Sequence, residues 1–356
     1  MTAKPVATTP IPGGPAPLHE DVLLSPEWMT AILRPRHPGV QAIGIEIVER
    51  LETVATKVRF RVKYDGDPGN APTALCAKGY LNPAMHEQVA GTVTEAVFYE
   101  TIAAGLPLRT PPCVHAAVDP GTSHGLVVMT DLVEAGSTFL DPLGSYSVDQ
   151  AAATLDQIAA LHAATWERGA TLTMPQFAPR IDRLVEIMSA DALQQLLDDG
   201  RAPALGDSVR RADRLQEAVV ALTKLDHAAR CLVHGDVHTG NIYLAPDGLP
   251  GIIDWQVAQR GVWAIDVAYH IAAVLDPAVR AGAEVDLVRH YLDRLALRGG
   301  PVMPFDEAWW LYRAHLAYGF FMWAITRRVI RPVIEHLTSR LGQAAADHAS
   351  FDLLGV

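Results

Sequence analysis

The stretch from Leu232 to Asp254 constrains the fold of this 356-residue chain more than any other. Short apolar runs at 231–233, 242–244 and 252–253 are separated by a polar loop and by a Pro-Asp-Gly turn. Short hydrophobic runs broken by glycine, proline and asparagine are typical of strands joined by tight turns. The stretch therefore predicts a strand, a polar loop and a β-hairpin that leads into a carboxylate.

The polar side chains of this stretch suit phosphoryl transfer. Asp236 and Asn241 lie in the loop, and Asp254 follows just beyond the hairpin. Phosphoryl transfer needs one acid to orient a hydroxyl nucleophile and two oxygen ligands to hold Mg²⁺ on the phosphates. We interpret Asp236 as the catalytic base and Asn241 and Asp254 as the magnesium ligands. The alternative is that Asp236 and Asn241 only satisfy the backbone of a turn.

The motif His-Gly-Asp-x-x-x-x-Asn at residues 234–241, followed by Asp254, resembles the catalytic and metal loops of the aminoglycoside phosphotransferase and choline kinase-like family. The resemblance is sharp over about 230–275 and weaker over about 75–165. It implies an α+β, two-lobed protein kinase-like fold with a β-rich N-lobe and a mostly helical C-lobe. It also implies ATP and Mg²⁺ as cofactors and the hydroxyl of a small molecule as the phosphate acceptor.

The resemblance further implies a nucleotide site in the N-lobe. Lys78, at the end of a predicted strand over 73–79, would bind the α- and β-phosphates of ATP. Glu95 would pair with this lysine, with Glu100 as the second choice. Because side chains alternate along a strand, Cys76 shares the face of Lys78 and would cover the adenine.

After a predicted strand over 125–129, the resemblance implies a hinge. There the Thr130 carbonyl and the Leu132 amide would bond the edge of the adenine. In the family the first hairpin lies over the ATP phosphates, but its loop here, residues 52–57, contains no glycine. Threonine hydroxyls and backbone amides of this loop could still meet phosphate oxygens, so its role stays open.

Histidines and a further aspartate surround the motif. His234 is expected to pack and hydrogen-bond the loop, and Asp266 to hold the loop's backbone; Asp266 could instead be an ordinary acid at a helix start. His234 and His238 are four residues apart, and side chains at this spacing lie on the same face only in a helix. The neighbouring glycines disfavour a helix, so a zinc site at these two histidines is not expected. His238 could touch substrate or phosphate. His162 is interpreted as a packed, hydrogen-bonded histidine.

The predicted domains are a flexible N-terminal segment (1–24), an N-lobe with the ATP-binding sheet (25–132), and a helical C-lobe with the catalytic loop and acceptor site (133–356). A helix is predicted to begin at Ser25-Pro26, with serine as the N-cap and proline at the first helical position. Further helices are predicted over 83–104, 151–166, 181–198, 207–228, 282–298, 305–330 and 332–350.

Composition excludes other classes of protein. The net charge of −11 argues against a nucleic-acid partner, which requires a basic surface. The sequence has no apolar run of about 18 residues and no secretory signal, so we expect no membrane span and a cytoplasmic location. The three cysteines form neither a disulfide framework nor a zinc spacing. The oligomeric state cannot be inferred from these features.

The predicted activity is therefore an ATP- and Mg²⁺-dependent transfer of the γ-phosphate to a small-molecule hydroxyl. A nucleotide-binding protein without turnover is the alternative. A protein kinase is disfavoured because Asp266 follows Asp254 too closely for a long activation segment. The aromatic stripe within 305–330 predicts a core helix face or a wall of the acceptor pocket. The identity of the acceptor is left open.

Overall fold

A computed structural model of the chain describes residues 11–52, 55–226 and 230–356. Residues 53–54 of the glycine-free loop therefore lie outside the described part, as do residues 1–10 of the N-terminal segment. Among the residues that the structure describes, no helix is both long and apolar enough to cross a membrane.

The first compact unit comprises residues 1–104 and 111–135. It contains an antiparallel five-stranded sheet in the order β1-β2-β3-β5-β4. The strands are β1 (Ala42–Glu52), β2 (Thr56–Tyr64), β3 (Ala74–Gly79), β4 (Cys113–Val118) and β5 (Gly125–Thr130). The helices of this unit are α1 (Glu20–Leu23), α2 (Pro26–Leu33) and α3 (Val93–Thr101).

Helix α2 begins as its sequence predicts. The Ser25 hydroxyl accepts a hydrogen bond from the Trp28 amide (3.2 Å), and proline occupies the first turn, where no amide hydrogen is needed. The helix buries Trp28 in one core with Phe60 of β2 and Leu75 of β3. One face of the sheet is thus fixed against α2.

Alternation along β3 decides which side chains remain on the other face. Leu75 and Ala77 are fully buried in the core. Cys76 and Lys78 therefore point to the opposite face, as the alternation predicts.

The second compact unit comprises residues 105–110 and 136–356. Its short strands are β6 (Thr138–Phe139), β7 (Cys231–Val233), β8 (Ile242–Leu244), β9 (Pro250–Ile252) and β10 (Gln259–Gly261). Its helices are α4 (Val148–Thr165), α5 (Gly169–Leu172), α6 (Ile181–Ile187), α7 (Ala190–Leu196), α8 (Ala212–Asp226), α9 (Ala264–Val274), α10 (Pro277–Leu297), α11 (Phe305–Ala324), α12 (Arg331–Asp347) and α13 (Ser350–Leu353). A sheet-based unit and a mostly helical unit confirm the predicted α+β class.

The strands predicted around the polar loop are present. β7 pairs antiparallel with β10, and β8 and β9 form the predicted hairpin. At the hairpin turn the Asp247 carboxylate accepts from the Leu249 amide (3.1 Å), and Gly248 adopts a positive φ of 78°. The hairpin delivers the residues after β9 back to the loop that follows β7.

Several predicted helices differ in extent from the structure: α10 begins at Pro277 and not at residue 282, and α11 ends at Ala324 and not at residue 330. The helix expected over 83–104 is a 3-10 helix over Pro83–Thr92 before α3 begins. Within it, an added Cβ at Gly91 would lie 2.8 Å from the Tyr80 hydroxyl, so the backbone approaches this side chain closely. The segment 181–198 is divided because the Ser189 hydroxyl caps a new helix, α7. The helix expected from residue 207 begins only at Ala212.

Part of the N-terminal segment predicted to be flexible makes specific contacts. The Gly14 carbonyl accepts from the Trp28 indole (2.9 Å). The Pro15 and Ala16 carbonyls lie 2.7 Å from His115 Nε2 and 3.1 Å from His124 Nδ1. Backbone carbonyls therefore satisfy three ring nitrogens of the first unit, which the proline-rich composition does not indicate.

Candidate active site

The loop after β7 is shaped by a glycine. Gly235 has a φ of 81°, a left-handed conformation that strains other residues. An added Cβ would also lie 3.1 Å from the Val257 carbonyl oxygen and the Tyr318 hydroxyl oxygen. Residue 235 must therefore be glycine for the chain to turn toward Asp236.

The Asp236 carboxylate is oriented by two side-chain donors. The Asn241 amide nitrogen donates to Oδ2 (3.1 Å), and the Tyr269 hydroxyl donates to Oδ1 (2.5 Å). The side chain is nevertheless 28% exposed. The carboxylate is thus held in position while it stays accessible to a ligand.

Burial raises the pKa of Asp236 to about 7. The hydrogen bond from Tyr269 opposes this rise, and the nearby charge of Asp254 adds to it. A carboxyl group that exchanges its proton near neutral pH can serve as a general base.

The Asn241 side chain faces Asp236 through its nitrogen. Its Nδ2 donates to the Asp236 carbonyl oxygen (2.8 Å) as well as to the carboxylate. The amide oxygen is therefore the atom of Asn241 that remains to accept or to bind a cation. The backbone carbonyl of Asn241 accepts from the Ile253 amide (3.0 Å), which holds the residue before Asp254 beside the loop.

Asp254 follows β9 in an unusual backbone conformation. Its φ of 66° and ψ of 69° are left-handed, a conformation that few non-glycine residues adopt. Its charge acts on both Asp236 and His238. The structure therefore brings Asp236, Asn241 and Asp254 into one neighbourhood.

The available donors fit a hard cation such as Mg²⁺. The Asn241 amide oxygen and the Asp254 carboxylate are the oxygen ligands that Mg²⁺ prefers, and Mg²⁺ binds few protein groups beside phosphate and water. Across residues 11–52, 55–226 and 230–356, no group of three or more His, Cys, Asp or Glu residues is arranged to hold a metal ion. The site suits a cation that a ligand's own oxygens help to hold.

Asp266 holds the start of the loop by its backbone. Its carboxylate accepts from the amides of His234 and Gly235, each at 2.7 Å. The His162 ring nitrogen Nε2 lies 3.1 Å from the same carboxylate, which is fully buried. Burial alone would raise the pKa of Asp266, but the hydrogen bond and charge of His162 and the Gly235 amide outweigh it and lower the pKa.

His234 joins the loop to the hairpin. Its Nδ1 accepts from the Asp236 amide (3.2 Å), and its Nε2 donates to the Ile253 carbonyl (2.9 Å). Its ring also packs edge-on against Trp255 at 4.7 Å between centroids. The side chain thus contacts both segments that carry the predicted catalytic and metal-binding aspartates.

His238 lies beside the Asp236 carboxylate, with Nε2 at 3.8 Å from Oδ1, beyond hydrogen-bond distance. Its Nδ1 accepts from the Gly240 amide (3.1 Å), so a neutral ring carries its proton on Nε2. Burial lowers the pKa of His238 to about 4. Its role toward a substrate stays a prediction.

In the first unit, Lys78 Nζ lies 2.6 Å from Glu95 Oε2, and both side chains are buried. Glu100 is exposed, so the structure pairs the lysine with the first of the two predicted glutamates. A buried ion pair of this kind fixes the position of the ammonium group. The assignment of the pair to ATP stays a prediction.

The predicted adenine residues lie near a contact that the sequence did not indicate. Burial raises the pKa of the Cys76 thiol to about 11, so the thiol stays protonated. Thr130 ends β5 and Leu132 is buried in the turn that follows. Between them the Asp131 carboxylate accepts from Arg59 Nε (3.0 Å), which ties β2 to the predicted hinge.

Sequence reasoning also missed the role of two aromatic residues beside Asp236. Tyr269 reads as part of an apolar helix, and Trp323 as part of the aromatic stripe of α11. In the structure the Trp323 indole donates to the Tyr269 hydroxyl (2.5 Å), which reaches Asp236. No local sequence pattern predicts this contact, because it joins residues of two helices, α9 and α11, that are distant in the chain.

Comparison with known protein families identifies the class of this protein as a phosphotransferase. A family model, the APH phosphotransferase enzyme family, matches residues 95–303, which is more than half of the chain. The chain belongs to this family. The match begins at Glu95 and includes the whole loop from His234 to Asn241. Comparison with curated protein sequences gave no significant match.

Solved structures similar to this chain include a phosphotransferase and two kinases. The macrolide 2′-phosphotransferase of Brachybacterium faecium is 17% identical, with 90% of this chain and 98% of that chain covered and a TM-score of 0.47. The ethanolamine kinase of Plasmodium vivax is 10% identical, with 92% and 89% covered and a TM-score of 0.51. The choline kinase of Streptococcus pneumoniae is 13% identical, with 90% and 99% covered and a TM-score of 0.49. The likeness to the ethanolamine kinase supports the kinase-like fold.

Proposed function

We propose that this protein transfers the γ-phosphate of ATP to a hydroxyl group of a small molecule and depends on Mg²⁺. The observation that carries the proposal is the Asp236 carboxylate, which is accessible and is oriented by Asn241 and Tyr269. Asp254, at the end of the adjacent hairpin, acts on it electrostatically. This is the set of groups that phosphoryl transfer requires.

In this proposal Asp236 is the base. An alcohol is a weak nucleophile, and a carboxylate within hydrogen-bond reach can align it and accept its proton late in the transfer. Asp236 has one donor on each oxygen, which leaves acceptor capacity for a substrate hydroxyl. Orientation of the hydroxyl is then the main contribution of this residue.

Asn241 and Asp254 are the proposed magnesium ligands. Bound Mg²⁺ neutralises charge on the transferring phosphate and orients it. Asn241 turns its amide oxygen away from Asp236 because its nitrogen is occupied there. Asp254 adds a carboxylate from a backbone position that the hairpin and the Asn241–Ile253 hydrogen bond hold.

Lys78 is the proposed phosphate-binding cation of the first unit, and Glu95 fixes its ammonium group. Cys76, on the same strand face, is the proposed contact to the adenine, and the Thr130 carbonyl and Leu132 amide are the proposed contacts to its edge. The sheet of the first unit is then the nucleotide-binding part, and the helices of the second unit supply the acceptor site.

The segment after Asp254 favours a small acceptor over a protein. A 3-10 turn (Trp255–Val257) and β10 lead directly into α9, whose first residue is Ala264. Protein kinases use a long activation segment at this point to bind their substrates. The chain from Asp254 to Ala264 is too short for one.

The test is a screen of acceptor alcohols by ATP consumption, with and without a magnesium chelator. The panel would include amino alcohols, sugars, aminoglycosides, macrolides and hydroxylated steroids. We expect at least one acceptor to stimulate magnesium-dependent ATP consumption and to gain one phosphate by mass spectrometry. Asp236→Ala should bind ATP but lose this turnover by about 10²–10⁴-fold.

Binding of ATP and Mg²⁺ without consumption across the panel would instead favour a nucleotide-binding protein without turnover. Undiminished phosphorylation by Asp236→Ala would refute the role of the base. Phosphorylation of a generic protein substrate in place of every alcohol would contradict the small-molecule acceptor.

A further inference from the structure

A chain of two hydrogen bonds runs from α11 through α9 to the proposed base. The Trp323 indole nitrogen lies 2.5 Å from the Tyr269 hydroxyl, which lies 2.5 Å from Asp236 Oδ1. Tyr269 is fully buried and Trp323 is 4% exposed. Both aromatic residues are therefore removed from water, while the carboxylate at the end of the chain is 28% exposed.

The direction of this chain follows from the chemistry of its groups. An indole N–H can only donate, so Trp323 occupies a lone pair of the Tyr269 oxygen. Tyrosine has a single hydroxyl proton, and with Trp323 as the donor that proton points to Asp236. Trp323 thus fixes the rotation of the Tyr269 hydroxyl, and Tyr269 donates to the carboxylate.

A carboxylate needs such donors to keep one orientation. The last torsion of an aspartate side chain has a broad, roughly two-fold preference, so rotamer energy alone does not fix the carboxylate plane. Here Tyr269 holds Oδ1 from one side and Asn241 holds Oδ2 from the other. The Asn241 contact depends on a residue proposed to bind magnesium, whereas Tyr269 of α9 is held by Trp323 of α11.

Trp323 also shapes the space beside the carboxylate. Its ring packs edge-on against His238, with centroids 5.3 Å apart and an angle of 84° between the planes. The same indole therefore contacts the neighbour of the base and the residue that orients it. A change at Trp323 would act on both.

We propose that Tyr269 is a positioning residue that orients the Asp236 carboxylate toward the acceptor hydroxyl, and that Trp323 holds Tyr269 in that role. This inference rests on the proposed function, because it assigns a task to Asp236. The role proposed for Tyr269 is to orient the carboxylate, and it includes neither proton transfer nor binding of the nucleotide. Its loss should therefore lower the rate of transfer more than the affinity for ATP.

The test compares Tyr269→Phe, Trp323→Phe and the wild type in magnesium-dependent ATP turnover with an acceptor from the screen, or with water as the acceptor if none is found. Tyr312→Phe is a matched control, because Tyr312 is also fully buried and donates its hydroxyl to a carboxylate, Glu284 Oε2, at 2.8 Å. Thermal melting of all four proteins measures the structural cost of each change.

For Tyr269→Phe we expect kcat to fall about 10- to 100-fold, the usual effect of losing a hydrogen bond to a charged group. KM for MgATP should stay within about twofold of the wild type. Trp323→Phe should show a smaller fall in kcat, and Tyr312→Phe should lower the melting temperature without changing kcat. A kcat of Tyr269→Phe equal to that of the wild type or of Tyr312→Phe would overturn the proposal.

A second measurement does not depend on turnover. In crystal structures of the wild type and Tyr269→Phe, we expect the Asp236 carboxylate to rotate in the variant, and an unchanged carboxylate would overturn the proposal. If the wild type neither binds nor consumes MgATP, the proposed function fails, but the crystallographic comparison still decides whether Tyr269 orients the carboxylate.

Discussion

Two aspartates lie on opposite sides of the loop after β7: Asp236 belongs to the loop, and Asp266 of α9 contacts it from behind. The protein surrounds the two carboxylates with different hydrogen-bond donors. At the back, Asp266 is fully buried and accepts two backbone amides at 2.7 Å each, with His162 as a third partner. At the front, Asp236 accepts one hydroxyl and one side-chain amide and stays 28% exposed. The pKa of Asp266 is lowered, whereas burial raises the pKa of Asp236 to about 7.

The comparison shows that burial alone does not decide how a carboxylate behaves. Two backbone amides and a histidine compensate the loss of water at Asp266, so it remains ionised and ties the loop to α4 and α9. Asp236 has fewer donors and the charge of Asp254 nearby, so its proton is easily exchanged. One aspartate thus supports the loop and the other is suited to chemistry.

The largest expected effect distinguishes the two aspartates by activity. Asp236→Asn removes the proposed base but keeps the shape of the side chain, so we expect turnover to fall about 10²–10⁴-fold. Thermal melting should be unchanged or higher, because a poorly solvated charge is removed. A large decrease in the melting temperature of this variant would show that Asp236 also has a structural role, and it would contradict the distinction between the two aspartates.

The second largest effect is expected on the stability of the fold, which should depend on Asp266 more than on Asp236. Asp266→Asn leaves one backbone amide and the His162 ring without a charged acceptor in a buried site. We expect the free energy of unfolding to fall by about 3 kcal/mol, as for other broken buried ionic contacts. Urea denaturation followed by circular dichroism would measure this, and a loss below about 0.5 kcal/mol would contradict the assigned role.

The stability that Asp266 contributes should depend on pH, which gives a second test of its structural role. Asp266 has a lower pKa in the folded protein than the ordinary value of about 3.9 expected in the unfolded chain. Its contribution to stability is therefore present above about pH 4 and is lost as the pH falls through the folded value. The difference in unfolding free energy between the wild type and Asp266→Asn should shrink below pH 4, and a constant difference would refute this linkage.

The smallest expected effect on stability concerns Tyr291, which contacts His162, the histidine beside Asp266. The Tyr291 hydroxyl lies 2.8 Å from His162 Nδ1, on the side of the ring opposite Asp266. Tyr291→Phe should reduce the free energy of unfolding by about 1 kcal/mol, the cost of one buried hydrogen bond. If its effect on urea denaturation equals that of Asp266→Asn, the loop is supported by His162 and not by the aspartate.

Much of the catalytic loop could be predicted from sequence because its information is local. Gly235, Asp236 and Asn241 lie within one short loop, and the strands on either side are short apolar runs with clear ends. Ser25 likewise predicted the start of α2, since an N-cap contacts only the next turn. Such features require no knowledge of distant residues.

The remaining features depend on contacts across the fold. Tyr269 and Trp323 reach Asp236 from two helices, and neither helix pattern distinguishes a hydrogen-bonded aromatic from a packed one. β4 was not predicted, because His115 and two alanines give the strand no clear alternation. In the sequence Arg59 is an ordinary strand residue, and nothing near it in the chain indicates its contact with Asp131.

In the proposed function, Asn241 and Asp254 hold Mg²⁺ while Asp236 acts on the acceptor. The most direct measurement is ATP affinity by isothermal titration calorimetry at low and high Mg²⁺ for the wild type, Asp254→Asn and Asp236→Asn. We predict that Asp254→Asn loses most of the gain in affinity that Mg²⁺ gives the wild type, whereas Asp236→Asn keeps it. The same magnesium dependence in Asp254→Asn and the wild type would contradict the account.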